Sequence, residues 1–175
     1  MPESVPVYVA AGSNVAPLEN LRRALDVLDR RFAPLRLSHA YANAAVGFTG
    51  DDFVNLAVGF TTALGVQDVI AQLHEAEAAC GRARTAPKWA PRSMDLDILL
   101  YGDTVVTGPA LTLPRPDLLV RPYMLGPLAE IAPRLVHPVV HRTIAALWRD
   151  MQQRESHALR PVAFDWHPRI SEPDR

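Results

Sequence analysis

Segments with strand-like and helix-like periodicity follow one another in the order β-α-β-β-α-β, and this order constrains the fold more than any other feature. Residues 5–11, 35–43, 53–62 and 94–101 are short apolar or alternating runs, which are typical of strands. Two intervening segments carry apolar residues every three or four positions, which is typical of amphipathic helices. The order predicts an α+β fold with a ferredoxin-like (βαββαβ) sheet and helices packed against it.

The helices have recognisable ends. Pro17 suits the first position of a helix because its ring fixes φ, and five apolar residues then form one stripe: Leu18, Leu21, Leu25, Leu28 and Phe32. The second helix is predicted over residues 67–80, with Gly81 as its terminator. Short helices are predicted at 124–131 and 143–151. We expect residues 1–155 to form one domain and residues 156–175 an extended or loosely ordered C-terminal tail.

Composition excludes several classes of protein. The chain has 175 residues and a net charge of −1, so it lacks the overall basic field that holds nucleic acid. No apolar run approaches the ~20 residues that span a bilayer, and the first residues do not resemble a secretory signal. With one cysteine, no internal disulfide can form. We therefore expect a cytoplasmic protein with neither a membrane nor a nucleic acid as its partner.

The segment from residue 81 to 99 combines cations with carboxylates: Arg82, Arg84, Lys88 and Arg92 are followed by Asp95 and Asp97. On an alternating strand the two aspartates share one face, with Cα atoms roughly 6.5 Å apart. Such a pair resists joint ionisation unless a cation neutralises it. Magnesium is usually held by one or two carboxylates plus substrate phosphates, and arginines bind phosphate oxygens in pairs.

A bare Asp-x-Asp motif more often marks a solvated strand edge beside a basic loop. The adjoining Gly-Arg-x-Arg and Trp-x-Pro-Arg motifs favour a magnesium–nucleotide site instead. Lys88 is the sole lysine and lies outside any Gly-Lys pair, so this site cannot be a phosphate loop of the Walker type.

These motifs together resemble the 6-hydroxymethyl-7,8-dihydropterin pyrophosphokinases of folate synthesis, over roughly residues 5–150. The resemblance rests on Gly12-Ser13-Asn14, Tyr41 with Gly47, Asn55, Glu77 with Gly81-Arg82-Ala83-Arg84, Trp89-Ala90-Pro91-Arg92, Asp95-Leu96-Asp97-Ile98, Leu113-Pro114, Asp117, Arg121 and Met124 to Pro133. It implies an α/β/α three-layer sandwich and transfer of pyrophosphate from ATP to a pterin alcohol, with release of AMP. It also implies two magnesium ions and a monomer that acts on small molecules.

The resemblance further implies roles for individual residues. The catalytic residues would be Arg82, Arg92, Asp95 and Asp97, with both aspartates binding the metal ions. The nucleotide would lie against Glu77, Arg84, Trp89, Ile98, Leu111, Thr112, Arg115 and Arg121. The pterin would lie against Asn43, Val46, Gly47, Phe53, Asn55 and Tyr123.

Two departures from the family pattern leave alternatives open. Arg115 stands where the family commonly has histidine, and Ala44 and Ala45 stand where it has prolines. One alternative is therefore a related pyrophosphokinase that acts on a different pterin alcohol or is weakly active. Another is a non-catalytic ferredoxin-like binding module, such as an RNA binder, which the paired aspartates disfavour because they repel a nucleic-acid backbone.

Overall fold

The computed structural model describes residues 2–44, 50–81, 94–154 and 159–168. The strands are β1 (Val5–Ser13), β2 (Arg36–Leu37), β3 (Ala40–Asn43), β4 (Phe53–Thr62), β5 (Asp95–Tyr101), β6 (Val106–Thr107), β7 (Thr112–Leu113) and β8 (Arg160–Val162). The helices are α1 (Pro17–Phe32), α2 (Val66–Ala79), α3 (Pro122–Ile131) and α4 (Ile144–Arg154), with a 3-10 helix at Pro116–Leu119. In these ranges no helix is both long and apolar enough to cross a bilayer.

The main sheet has the strand order β5-β1-β4-β3-β8, and β2 also pairs with β4. Every pairing in this sheet is antiparallel. Strand β4 lies between β1 and β3, which are joined through α1, so the arrangement is a split β-α-β unit. The predicted α+β, ferredoxin-like sheet is confirmed. Strands β6 and β7 form a separate two-stranded sheet beside β5.

Each face of the sheet has its own apolar core, because successive residues of a strand project to opposite faces. Helices α1 and α2 cover one face, where Val7 and Val9 of β1 are buried with Leu21 and Leu25 of α1. Helices α3 and α4 cover the other face, where Ala57 of β4 is buried in a second cluster. The fold is therefore a three-layer α/β/α sandwich.

The predicted strand over residues 35–43 is interrupted. Leu37 pairs with Val58 and Tyr41 with Asn55, so three residues between these pairs face two in β4. This is a β-bulge, and it ends β2 and begins β3. Ser38 completes the hydrogen bonding there, since its N–H donates to the Ala57 carbonyl and its Oγ accepts from the Ala57 N–H at 2.8 Å.

Part of the predicted C-terminal tail is an ordered edge of the sheet. Arg160–Val162 is extended, as expected, but it pairs with β3 as strand β8. Beyond it, Asp165 forms an ion pair with Arg22 of α1 at 3.0 Å, and the Trp166 indole N–H donates to Asp26 of the same helix at 3.0 Å. The division of the chain at residue 155 stays a prediction.

Candidate active site

One row of residues crosses four strands of the sheet. Asp95 of β5 lies opposite Gly12 of β1, Gly12 lies opposite Asn55 of β4, and Asn55 lies opposite Tyr41 of β3. Residues opposite each other in antiparallel strands project from the same face, here the face that α3 and α4 cover. Neighbouring strands are about 4.8 Å apart, so the Cα atoms of Asp95 and Asn55 are separated by about 10 Å.

Asp95 and Asp97 lie on this face, while Leu96 and Ile98 between and after them are buried against α1 and α2. The alternation along the strand is therefore as the sequence predicts. Asp97 is opposite Ala10 of β1, one step along the strand from the Gly12 row. Its side chain is 25% exposed, so the carboxylate is neither free in solvent nor fully buried.

A guanidinium group lies next to this pair of carboxylates. Arg115 Nη1 is 3.4 Å from Asp97 Oδ1, and Arg115 Nη2 is 3.3 Å from Asp117 Oδ2. The Arg115 backbone is held against β5, because its N–H donates to the Leu99 carbonyl at 2.9 Å. The Arg115 backbone is thus anchored to β5, and its guanidinium lies between that strand and the 3-10 helix.

The outer edge of β5 is covered by a buried acid. Glu77 of α2 is 8% exposed, and its Oε2 accepts a hydrogen bond of 3.1 Å from the Leu96 N–H. Among the described strands of the main sheet, β5 pairs with β1 alone, on the side away from Glu77. Glu77 therefore satisfies an edge donor of the strand that carries both aspartates.

A cavity of about 240 Å³ lies between α2, β5 and the segment before β7. It is lined by Ile70, Leu73, His74, Leu96, Asp97, Ile98, Leu111, Thr112 and Arg115, among others. Sites for whole drug-sized ligands have volumes of ~300–1,000 Å³, so this one suits one ring system. A larger cavity of about 630 Å³, between β3, α3 and α4, is lined by none of those predicted site residues that the structure describes.

Where the row crosses β4, the side-chain amides of Asn55 and Asn43 lie beside the ring of Phe53. Asn55 is 7% exposed, and its Nδ2 donates to Asn43 Oδ1 of β3. Asn43 is directly opposite Phe53. A β-carbon built on Gly12 would be 3.8 Å from the Phe53 ring, so the ring lies beside the centre of the row.

Tyr123, in the first turn of α3, is within electrostatic reach of the charged groups near β5. Burial raises the pKa of Tyr123, and Asp117 and Asp97 raise it further, while Arg121 and Arg115 lower it. Asp97, Asp117, Arg115 and Tyr123 therefore lie close to one another.

A model of the 7,8-dihydro-6-hydroxymethylpterin-pyrophosphokinase (HPPK) family matches residues 8–133. The chain belongs to the HPPK family. A relative from Synechocystis sp., named 2-amino-4-hydroxy-6-hydroxymethyldihydropteridine pyrophosphokinase, is 36% identical over 158 residues, which are 89% of this chain and 79% of that protein. One of the same name from Pseudomonas aeruginosa is 37% identical over 136 residues, 75% of this chain and 83% of the relative.

The fold is also that of a solved HPPK structure. Plasmodium falciparum HPPK-DHPS superposes with a TM-score of 0.69 at 13% identity, over 88% of this chain. This chain spans 42% of the length of that protein. At this identity the likeness concerns the fold alone.

The described part of this HPPK family member holds most, though not all, of the residues predicted for its site. Those it brings to β5, the cavity or the sheet face are Asp95, Asp97, Glu77, Ile98, Leu111, Thr112, Arg115, Asn43, Phe53, Asn55 and Tyr123. Arg121 lies at the start of α3, two residues before Tyr123. Arg82, Arg84, Trp89, Arg92, Val46 and Gly47 lie outside the described residues. Among the described residues, no three His, Cys, Asp or Glu side chains cluster as metal ligands.

Two acids beside the site were not predicted to belong to it. Asp117 pairs with Arg115, as described above. Glu130 of α3 accepts hydrogen bonds from the Tyr41 hydroxyl at 2.5 Å and from the N–H and Nδ1 of His39 at 2.7 Å each. Both acids lie in motifs of the family, but only the folded chain shows which residues they pair with.

Proposed function

We propose that the protein transfers pyrophosphate from ATP to the hydroxymethyl group of 6-hydroxymethyl-7,8-dihydropterin and releases AMP, as a step of folate synthesis. The observation that carries the proposal is the row from Asp95 through Gly12 to Asn55. In this row the Asp95 carboxylate and the Asn55 amide lie on one face of the sheet, with Cα atoms about 10 Å apart, which supports a metal-binding role for the acid and a ring-binding role for the amide. That spacing suits a flat heterocycle whose one-carbon side chain carries the hydroxyl that attacks the phosphate.

Asp95 and Asp97 would hold two magnesium ions. Their residue types and shared face fit the ion, and the Arg115 guanidinium beside Asp97 is a stand-in for it, because the site already accommodates positive charge. A magnesium site needs only one or two carboxylates when phosphates complete it. Bound there, magnesium would neutralise phosphate charge and ease deprotonation of the attacking hydroxyl.

The cavity beside β5 would take the base of ATP, between the apolar side chains of Leu73 and Leu111. Arg115 lines the same cavity, and Arg121 lies at the start of α3, so both could reach phosphate oxygens. The arginines of residues 82–92 would complete the charge around the triphosphate. Guanidinium groups suit this role since they stay charged and bind oxygens in pairs.

The pterin would lie over Gly12, with its polar edge on Asn55. An amide offers both a donor and an acceptor, as the edge of a pterin does. The rings of Phe53 and Tyr123 would lie against its two faces, with Asn43, Val46 and Gly47 around it. Aromatic faces stabilise a planar ring through stacking and buried area.

In the reaction, the hydroxymethyl oxygen of the pterin would form a bond to the β-phosphorus of ATP. The bond between that phosphorus and the oxygen bridging to the α-phosphate would break, and its electrons would leave with AMP. Little covalent chemistry is asked of the protein, so positioning and charge carry the rate. Arginines aimed at the leaving oxygen would stabilise the charge that develops there.

We also infer that the protein acts as a cytoplasmic monomer on small molecules, without nucleic acid.

The proposal is tested by incubating the protein with ATP, Mg²⁺ and 6-hydroxymethyl-7,8-dihydropterin and separating the products. AMP and the pterin diphosphate should form in equal amounts, and omission of the pterin should suppress AMP. Formation of ADP instead of AMP, or no product, would contradict the proposal. A parallel series of other pterin alcohols reports the preferred acceptor, and a faster reaction with one of them would reassign the substrate.

A further inference from the structure

We propose that Arg115 is a built-in counter-cation, which neutralises Asp97 while the metal is absent and turns to the triphosphate when metal and nucleotide bind. This inference rests on the proposed function, because it assumes that Asp97 is a metal ligand. It adds that the Arg115 guanidinium and the metal ion compete for the Asp97 carboxylate.

The first support is the geometry of the guanidinium. Its two terminal nitrogens lie 3.4 Å from Asp97 and 3.3 Å from Asp117, so one cation bridges a strand carboxylate and a carboxylate of the 3-10 helix. The side chains of Arg115, Asp97 and Asp117 are 34%, 25% and 44% exposed. Partly exposed ion pairs are held by little net free energy, so a ligand can exchange them.

The second support is an incomplete set of hydrogen bonds. Arg115 Nε is buried and has no acceptor among the residues that the structure describes. A buried donor without an acceptor is costly, and a phosphate oxygen would supply one. Arg115 also lines the cavity beside Asp97, where the proposed nucleotide lies.

The third support is the charge balance. Among the described residues, Arg115 is the cation that pairs with both Asp97 and Asp117, and Asp95 lies on the same strand face as Asp97. Without that cation their repulsion would be larger, and a metal ion would bind more tightly. With a metal ion on Asp97, the guanidinium would face a like charge at short range and would move to a phosphate. The Arg115 backbone can stay in place during this exchange, because its N–H remains bonded to the Leu99 carbonyl.

The exchange predicts that removal of the Arg115 charge raises the affinity for a metal ion alone and lowers the affinity for the nucleotide. We would measure binding of Mn²⁺ alone by electron paramagnetic resonance, and binding of a non-hydrolysable ATP analogue with Mg²⁺ by calorimetry. Arg115→Gln should bind Mn²⁺ alone at least tenfold more tightly than the unmodified protein, and the analogue at least tenfold more weakly. Arg134→Gln makes the same change in net charge at an exposed site three residues beyond the end of α3 and should alter neither affinity.

Two further variants separate the effect of the Arg115 charge from misfolding of a single variant. Arg115→His, measured at pH 8 where histidine is mostly neutral, should also bind Mn²⁺ alone more tightly. Arg115→Lys keeps the charge, so its affinity for Mn²⁺ alone should stay within threefold of that of the unmodified protein.

If Arg115→Gln and Arg115→His bind Mn²⁺ alone no more tightly than the unmodified protein, the counter-cation inference is wrong. In that case, binding of Mn²⁺ to the unmodified protein in the presence of the ATP analogue would still support the proposed metal site. If Mn²⁺ fails to bind any variant even with the analogue, the proposed metal site itself is wrong.

Discussion

Gly12 and Asn55 face each other across β1 and β4 so closely that a β-carbon at Gly12 would lie 2.3 Å from Asn55 Oδ1. No real β-carbon tolerates such a contact, so any other residue at position 12 forces the amide to move. The amide already donates to Asn43, and it is the group that we propose for the pterin edge. The glycine therefore fixes where this polar group can lie.

Gly12→Ala should weaken pterin binding by about 10- to 100-fold, because a displaced amide loses hydrogen bonds that are each worth about 1–3 kcal/mol when a partner is left unsatisfied. Affinity for the ATP analogue should change less than threefold. Both are measured by calorimetry. Gly65→Ala is the control, since among the described residues its added β-carbon would contact only Asp68 Oδ2, at 4.0 Å. Normal pterin affinity in Gly12→Ala would remove Asn55 from the proposed site.

The local parts of this architecture were predictable from the sequence. The stripe from Leu21 to Phe32 and the alternation of Asp95 with Leu96 are periodic signals, which depend on neighbouring residues alone. The family resemblance supplied the third layer of the sandwich and the candidate residues.

The remaining features depend on contacts between distant parts of the chain. Strand β8 forms because residues 160–162 hydrogen-bond to the edge of β3. The bulge at Ser38 depends on the hydrogen bonds between Ser38 and Ala57 of β4. The contact of Arg115 with both Asp97 and Asp117 likewise depends on how the 3-10 helix is placed against β5. Sequence patterns carry no signal for such pairings.

Neutralising either carboxylate of the proposed metal site should slow the reaction strongly without unfolding the protein. Asp95→Asn and Asp97→Asn should each reduce kcat at least ~10²-fold, as expected for the loss of a main charge-stabilising group. Asp103→Asn, an exposed aspartate just after β5, makes the same charge change and should keep kcat within twofold. Turnover is followed by the appearance of AMP. Near-normal kcat in either variant would contradict the metal-binding role.

Glu77 should prove to be a stabilising group for β5. Glu77→Ala leaves the Leu96 N–H buried without its acceptor, at a cost of about 1–3 kcal/mol in the free energy of unfolding. Glu77→Gln keeps an oxygen that can accept this hydrogen bond, so it should be destabilised less. Urea unfolding followed by circular dichroism measures both. Equal stabilities of the two variants would show that the hydrogen bond to Leu96 contributes little.

The contact of Glu130 with Tyr41 and His39 predicts a dependence of stability on pH. Burial alone would raise the pKa of Glu130, but the hydrogen bonds from Tyr41 and from His39 outweigh it, and the net pKa lies below its ordinary value of 4.5. Since the folded state favours the ionised acid, Glu130 stabilises the protein above about pH 4.5. This stabilisation is lost as the pH falls through the folded-state pKa.

Glu130→Gln should therefore lower the free energy of unfolding by about 1–2 kcal/mol at pH 7, the range for hydrogen bonds to a charged group that is partly exposed. The gap between the two proteins should narrow as the pH is lowered from 5 to 3, because the carboxyl of the unmodified protein becomes neutral. Urea titrations at several pH values measure the gap. Glu75→Gln, on the exposed face of α2, is the control and should differ by less than 0.5 kcal/mol throughout. A gap that stays constant with pH would mean that the Glu130 charge does not stabilise the contact with Tyr41 and His39.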